Sequence, residues 1–316
     1  MTNKTYSLEV PPELAGQRLD QALAAMLPDY SRARLSQWVK EGKALVDGRV
    51  YKPKDKVVGG ELITLEAVVE ADERHQAQPI PLDIVYEDAA LIVLNKPAGL
   101  VVHPAAGNPA GTMLNALLHH APELAQVPRA GIVHRIDKET SGLLVVARTL
   151  EAQNALAQAL QAREFTREYD TVVMGEMTGG GTVDAPIGRH PVDRKRQAIV
   201  ASGKPAVTHY RLVERYRAHT RLAVRLETGR THQIRVHMAH IHHPIVGDPV
   251  YGGRLRLPAG CSEALREALH GFKRQALHAM RLGLLHPTSG EYMEWSVPAP
   301  ADMLALIEIL REDAKT

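Results

Sequence analysis

Apolar positions near the start of the chain recur at helical spacing. Leu19, Leu23, Met26 and Leu27 share one face, and Pro28-Asp29-Tyr30 interrupts the pattern. A second helix carries Leu35, Trp38 and Val39 together, with Ser31 placed to cap its start and Gly42 to end it. Ala44-Leu45-Val46 and Arg49-Val50 flank Asp47-Gly48, the signature of a tight hairpin, and Glu61 to Leu65 adds a last strand after Gly59-Gly60. The segment 70–81 is polar and proline-flanked, which is linker composition and places a domain boundary near residue 77.

Beyond that boundary the pattern alternates between periods. Strand-like runs occupy Ile84 to Tyr86, Leu91 to Leu94, Leu143 to Ala147, Asp170 to Met174, Ala206 to Val213 and Leu222 to Leu226. Helical segments fall at Met113 to His120, Ala152 to Arg163, Ser262 to Leu269 and Asp302 to Leu310, and Gly179-Gly180-Gly181 reads as a turn. Strands joined both by short turns and by helices predict an α+β domain on a mixed, mainly antiparallel sheet.

Composition narrows this picture. A length of 316 residues fits two domains, and 45% hydrophobic residues supply real cores. The single cysteine, Cys261, excludes an internal disulfide and a multi-cysteine zinc site, and fits a reducing compartment. No secretory signal core opens the chain and no apolar run is long enough to span a bilayer, so a cytoplasmic location is expected.

The formal charge is only +2, but its placement is uneven. Ser31 to Lys56 carries net +5, Arg189 to Arg235 carries net +9, and the other 243 residues carry −12. Two basic zones on an acidic background predict two surfaces for a polyanion, although Lys and Arg also solvate ordinary exposed faces. Aromatic residues number only 2 Phe, 2 Trp and 9 Tyr, so few rings are on hand to stack a base.

Phosphate-cradling loops are missing: there is no G-x-x-x-x-G-K-S/T and no G-x-G-x-x-G after a strand. Five histidines fall between Thr231 and His243, and His237 and His240 have helical spacing for a metal. No carboxylate or cysteine lies among them, and no metal is expected.

The densest polar loop is His134-Arg135-Ile136-Asp137-Lys138-Glu139-Thr140-Ser141-Gly142, feeding directly into the apolar run 143–147. Such a loop presents side chains from a rigid base. Asp137, with cations beside it, suits a nucleophile or base, while the plainer reading is a turn-shaping Asp. A second dense stretch runs from Glu227 to His237, where Thr231 is placed to cap a short helix. Arg230 and Arg235 then sit near a helix start, where a cation needs an acidic partner or a phosphate.

HRIDKETSG followed by LLVVA resembles the catalytic motif of the RluA-type pseudouridine synthases. IVYED and VLNKPAG resemble that family's entry motifs, and Arg167-Glu168-Tyr169 and TGRTHQIRVH its later ones. RLDQAL, SRARLSQWVKEG and ALVDGRV resemble an S4 RNA-binding domain. Ile136 departs conservatively from the family's usual Leu. The resemblance implies an S4-like module at 1–76 (core about 17–66) and a pseudouridine synthase domain at 82–316.

It also implies conversion of uridine to pseudouridine in 23S rRNA, with the helix 69 stem-loop as target, and a role in large-subunit assembly. No cofactor, nucleotide or membrane is implied, and a monomer is expected. Asp137 matches the family's catalytic aspartate; attack on the sugar, attack on the base and proton abstraction all require it ionised. Arg235 matches the arginine that pairs with it, and Tyr169 the tyrosine that packs on the target base. Arg135 matches a residue that fills the space left by a flipped base. His134, Arg230 and His232 are expected around the base. Arg32, Arg34, Lys40 and Lys43 are expected on the docking face, with Arg194, Lys195 and Arg196 gripping RNA near the site. A binding or assembly protein that kept these surfaces without catalysis is the alternative; Asp137, Tyr169 and Arg235 together favour the enzyme.

Overall fold

A four-stranded and a nine-stranded sheet organise the chain. The structure, a computed structural model, describes residues 2–27, 30, 32–69, 76–105, 107–193 and 196–315. The Pro28-Asp29 break, the Ser31 cap, linker residues 70–75, and Arg194 and Lys195 lie outside the described residues.

The first unit comprises β1 (Thr2–Glu9), α1 (Leu19–Met26), α2 (Arg32–Lys40), β2 (Ala44–Val46), β3 (Arg49–Val50) and β4 (Leu62–Val69). Its antiparallel sheet has the order β1-β4-β2-β3. Leu19, Leu23, Leu35, Trp38 and Val39 pack against Val46, Ile63 and Leu65, so the face read from helical spacing is the buried face. Asp47 and Gly48 both have positive φ, as the two-residue turn requires.

The second unit contains β5 (Ile84–Glu87), β6 (Leu91–Lys96), α3 (Met113–His120), β7 (Ser141–Ala147), α4 (Leu150–Gln161) and β8 (Thr166–Met174). β9 (Gly181–Asp184), β10 (Ile187–Arg189), β11 (Gln197–Ile199), β12 (Val207–Arg215), β13 (His219–Leu226) and α5 (Gln233–His240) follow. α6 (Glu263–Gly271), β14 (Leu277–Leu285), β15 (Tyr292–Ser296) and α7 (Ala301–Asp313) complete it. The nine-stranded sheet runs β5-β6-β7-β14-β8-β13-β12-β9, with β15 added on β14. Only the β7–β14 pair is parallel, so the sheet is mixed and mainly antiparallel, as expected. β10 and β11 form a separate hairpin.

All seven residues of β7 are buried. Leu143, Val145 and Ala147 face one core, Leu144 and Val146 the other. A strand covered on both faces reads as a continuous apolar run rather than an alternating one. Gly142 opens this strand at φ +113, where a Cβ would lie 2.3 Å from the Ala279 carbonyl oxygen. Only glycine lets β7 approach β14 this closely.

Several elements differ from the periodicity. β8 starts at Thr166 rather than Asp170, which puts Tyr169 inside the strand. β1, β9, β10, β11, β14 and β15 are additional strands, and β14 lies in the middle of the sheet. The polar segment after residue 75 is anchored: the Gln76 carbonyl accepts from Asn115 Nδ2 at 2.8 Å, and the Gln78 side chain accepts from Gly111 N–H at 2.8 Å. Among the described residues no helix is long and apolar enough to cross a membrane.

Candidate active site

The loop carrying Asp137 is fixed from beneath. Lys96, 2% exposed, directs its ammonium at the carbonyls of Pro97 (2.7 Å), Leu100 (2.9 Å) and Lys138 (2.9 Å). Burial pushes the Lys96 pKa down to about 8, and the carboxylates of Glu139 and Asp137 pull against that shift. Gln275 donates to the Thr140 hydroxyl at 3.0 Å, and Ser141 Oγ meets His278 Nδ1 at 2.9 Å. A loop tied by this many bonds to β6 and β14 holds its side chains in one geometry.

Arg235 reaches Asp137 from α5. The turn leading there is held by Gln233, whose side chain accepts from the Thr228 hydroxyl (2.8 Å) and Arg230 N–H (3.0 Å) and donates to the Val207 carbonyl (3.0 Å). Thr231 was expected to cap the helix. Instead His232 occupies the cap position with left-handed backbone (φ 58) and no side-chain cap bond. The buried Gln233 amide already satisfies the turn, so no hydroxyl is needed there.

The Arg235 guanidinium bridges two carboxylates. Nη1 donates to Asp137 Oδ2 at 3.0 Å, while Nε and Nη2 grip Asp248 at 2.7 and 2.9 Å. Asp248 is fully buried and also accepts the N–H groups of Val250 and Tyr251. Burial works against both ions, but their mutual bonds win: Asp248 is held below the usual carboxylate range and Arg235 above its ordinary value. The acidic partner that Arg235 was expected to require is thus double.

Tyr251 backs this pair. Its ring lies 5.0 Å from the Arg235 guanidinium and 5.2 Å from that of Arg196. Its hydroxyl accepts Gln197 N–H at 2.9 Å and meets His232 Nδ1 at 2.8 Å. His232 Nε2 faces Asp137 Oδ1 at 3.9 Å, and burial lowers the His232 pKa.

A cleft of about 950 Å³ opens over Asp137 and is also lined by His134, Arg135, Arg167, Tyr169, Arg230, His232 and Arg235. That volume accepts a nucleotide with part of its neighbours. Tyr169 is 7% exposed, and burial pushes its phenol up, so it is a neutral hydroxyl at pH 7. Arg135 is exposed at the rim. Arg230 donates Nε to the Pro205 carbonyl at 3.1 Å. His134 turns inward: its Nε2 accepts Val145 N–H at 3.0 Å, and burial lowers its pKa to about 3.

The other sequence candidates lie elsewhere. Arg32 pairs with Asp20 at 3.1 Å, Lys43 with Glu41 at 2.9 Å, and the Arg34 guanidinium lies 5.7 Å from the Trp38 ring; Lys40 is exposed. Arg196 packs behind the site on Tyr251. His237 commits both ring nitrogens, to Thr208 Oγ1 (2.8 Å) and the Ala185 carbonyl (3.0 Å). Among the described residues no three His, Cys, Asp or Glu gather to hold a metal. Asp248, Tyr251 and Lys96 are the residues that sequence reasoning left without a role, although GDPVYGG and NKPAG contain them.

Comparison with known proteins agrees with the motifs. A family model described as RNA pseudouridylate synthase matches residues 90–240, and an S4 domain model matches residues 17–63. Ribosomal large subunit pseudouridine synthase D of Escherichia coli (strain K12) is 62% identical over 299 residues, covering 94% of this chain and 92% of that protein. The protein of the same name from Yersinia pestis is 58% identical over 310 residues, covering 98% and 95%. Among solved structures, human RNA Pseudouridylate Synthase Domain Containing 4 superposes with a TM-score of 0.57 at 25% identity, over 72% of this chain and 93% of that one.

Proposed function

The chain belongs to the RluA-type RNA pseudouridine synthases that carry an S4 domain, and from that premise we propose that it isomerises uridines of 23S rRNA with Asp137 as the reacting carboxylate. The observation that carries this reading is the Asp248–Arg235–Asp137 chain at the floor of a nucleotide-sized cleft. A carboxylate entering chemistry with a desolvated base needs a fixed counter-charge, and Arg235 supplies one that is itself fixed.

The reaction balances within the substrate. The N1–C1′ bond breaks, the uracil turns, C5 bonds to C1′, the C5 proton leaves, and N1 gains a proton. No net oxidation occurs, so no redox cofactor is called for. Tyr169 offers a stacking face and a neutral hydroxyl beside the turning base. Arg135 at the rim fills the gap left in the RNA when the base is flipped, and Arg230 and His232 border the flipped nucleotide.

The division of labour follows a boundary near residue 77. Residues 1–76 dock the RNA through Arg32, Arg34, Lys40 and Lys43, largely on phosphates, with Arg194, Lys195 and Arg196 of the second basic zone adding grip. Residues 82–316 carry the chemistry. The target is the helix 69 stem-loop, and the enzyme acts as a monomer in the cytosol during large-subunit assembly.

The test follows from the proton balance. RNA labelled with tritium at uracil C5 must release it to water on isomerisation. The purified protein should release tritium from 23S rRNA, and Asp137→Asn should release none while still binding. Turnover by Asp137→Asn would overturn the assignment.

A further inference from the structure

Arg167 is a buried cation whose charge is not matched. It is 8% exposed, lies on β8, and lines the cleft two residues before Tyr169, which puts both on the same face of the strand. Its Nε has no hydrogen-bond partner, and Nη2 makes one long bond, 3.3 Å, to the Glu227 main-chain oxygen. Glu227 spends its carboxylate on His209 (2.5 Å) and Arg163 (3.4 Å). Among the described residues no carboxylate pairs with Arg167. Removing a guanidinium from water without a counter-ion is costly, and burial draws its pKa down.

The fold also makes room for this side chain. A Cβ at Gly229 would lie 2.8 Å from Arg167 Nη1, so the glycine leaves the space the guanidinium occupies. Arg129, Arg135, Arg163 and Arg230 line the same cleft, against only Asp137 and Glu227 as carboxylates. The surface next to the reacting carboxylate is thus built for an anion.

We propose that Arg167 is a substrate-binding residue that takes a backbone phosphate of the RNA flanking the flipped uridine. The phosphate supplies the missing negative charge, and its oxygens suit the forked guanidinium. The inference rests on the RNA reading above and adds to it the group that the wall beside Tyr169 recognises.

The following measurements on the whole chain test it, with a synthetic helix 69 stem-loop as probe. Arg167→Met should melt at the same or a higher temperature, because it removes an uncompensated buried charge. It should bind the stem-loop about tenfold more weakly or worse. The slope of log K against log salt should fall by about one phosphate contact, roughly 0.7–0.9. Arg167→Lys should keep the slope and recover part of the affinity.

A neutral methylphosphonate at one phosphate flanking the target uridine should weaken wild-type binding similarly. That loss should not add to the loss from Arg167→Met. Gly229→Ala, which crowds the guanidinium, should weaken binding in the same sense. A lower melting temperature with an unchanged salt slope would make Arg167 a structural cation and overturn the proposal. Additive losses at every flanking phosphate would overturn it too. Failure of the wild-type protein to turn over any rRNA would instead overturn the RNA reading and the phosphate site with it.

Discussion

Arg235 cannot be understood from Asp137 alone. Its Nε/Nη2 edge is locked on Asp248, leaving Nη1 at a fixed angle for Asp137. Asp248→Asn keeps the shape and removes the charge that orients the guanidinium. It should lower kcat more than tenfold while RNA affinity stays within about twofold, measured by single-turnover and filter-binding assays. The Asp137 loop and the basic segment around Arg235 were legible in the sequence as dense polar clusters beside strands. Asp248 was not, because its pairing with a residue 13 positions earlier exists only once the chain closes around it. Buried histidines give a second residue-scale expectation. Burial lowers His134 to about 3 and His219 to about 4, whereas the unfolded chain takes up these protons near the ordinary value of about 6.5. Below that pH the unfolded state binds more protons, so stability falls as pH drops from about 6.5 toward 4, by up to about 1.4 kcal/mol per pH unit for each histidine. Urea midpoints across this range should show the decline, and His219→Gln should make it shallower.

Elements were legible where one period dominates. α3 spans the predicted residues, and the hairpin around Asp47-Gly48 follows from turn chemistry. β14 was hidden because its first three residues are buried on both faces and its run, Leu-His-Ala-Met-Arg-Leu-Gly-Leu-Leu, alternates at neither period. β1 was hidden for the opposite reason: Thr2–Glu9 is a largely polar edge strand that takes its register from β4. The β7–β14 contact ties the sheet to the site, since the Asp137 loop enters β7 at Ser141-Gly142. Gly142→Ala would drive a Cβ into the Ala279 carbonyl at positive φ. It should destabilise the protein by at least about 2 kcal/mol in denaturant titration and reduce activity beyond the loss of folded protein.

At the scale of the molecule, a formal charge of +2 conceals two basic zones. One coincides with the S4 unit, and the other leads through β12 and β13 to Arg235. Surface charges of the first kind position a polyanion and are screened by salt. Arg34→Gln with Lys40→Gln should therefore lower the slope of log K against log salt by roughly 1.5, with little effect on turnover of bound RNA. The central claim is that the carboxylate of Asp137, held by Arg235, performs the isomerisation. Its most direct measurement is a pseudouridine map of 23S rRNA from cells lacking this gene and supplied with either form of the protein. The wild-type protein should restore pseudouridine in the helix 69 loop, and Asp137→Asn should restore none at equal expression. Full restoration by Asp137→Asn would contradict the account.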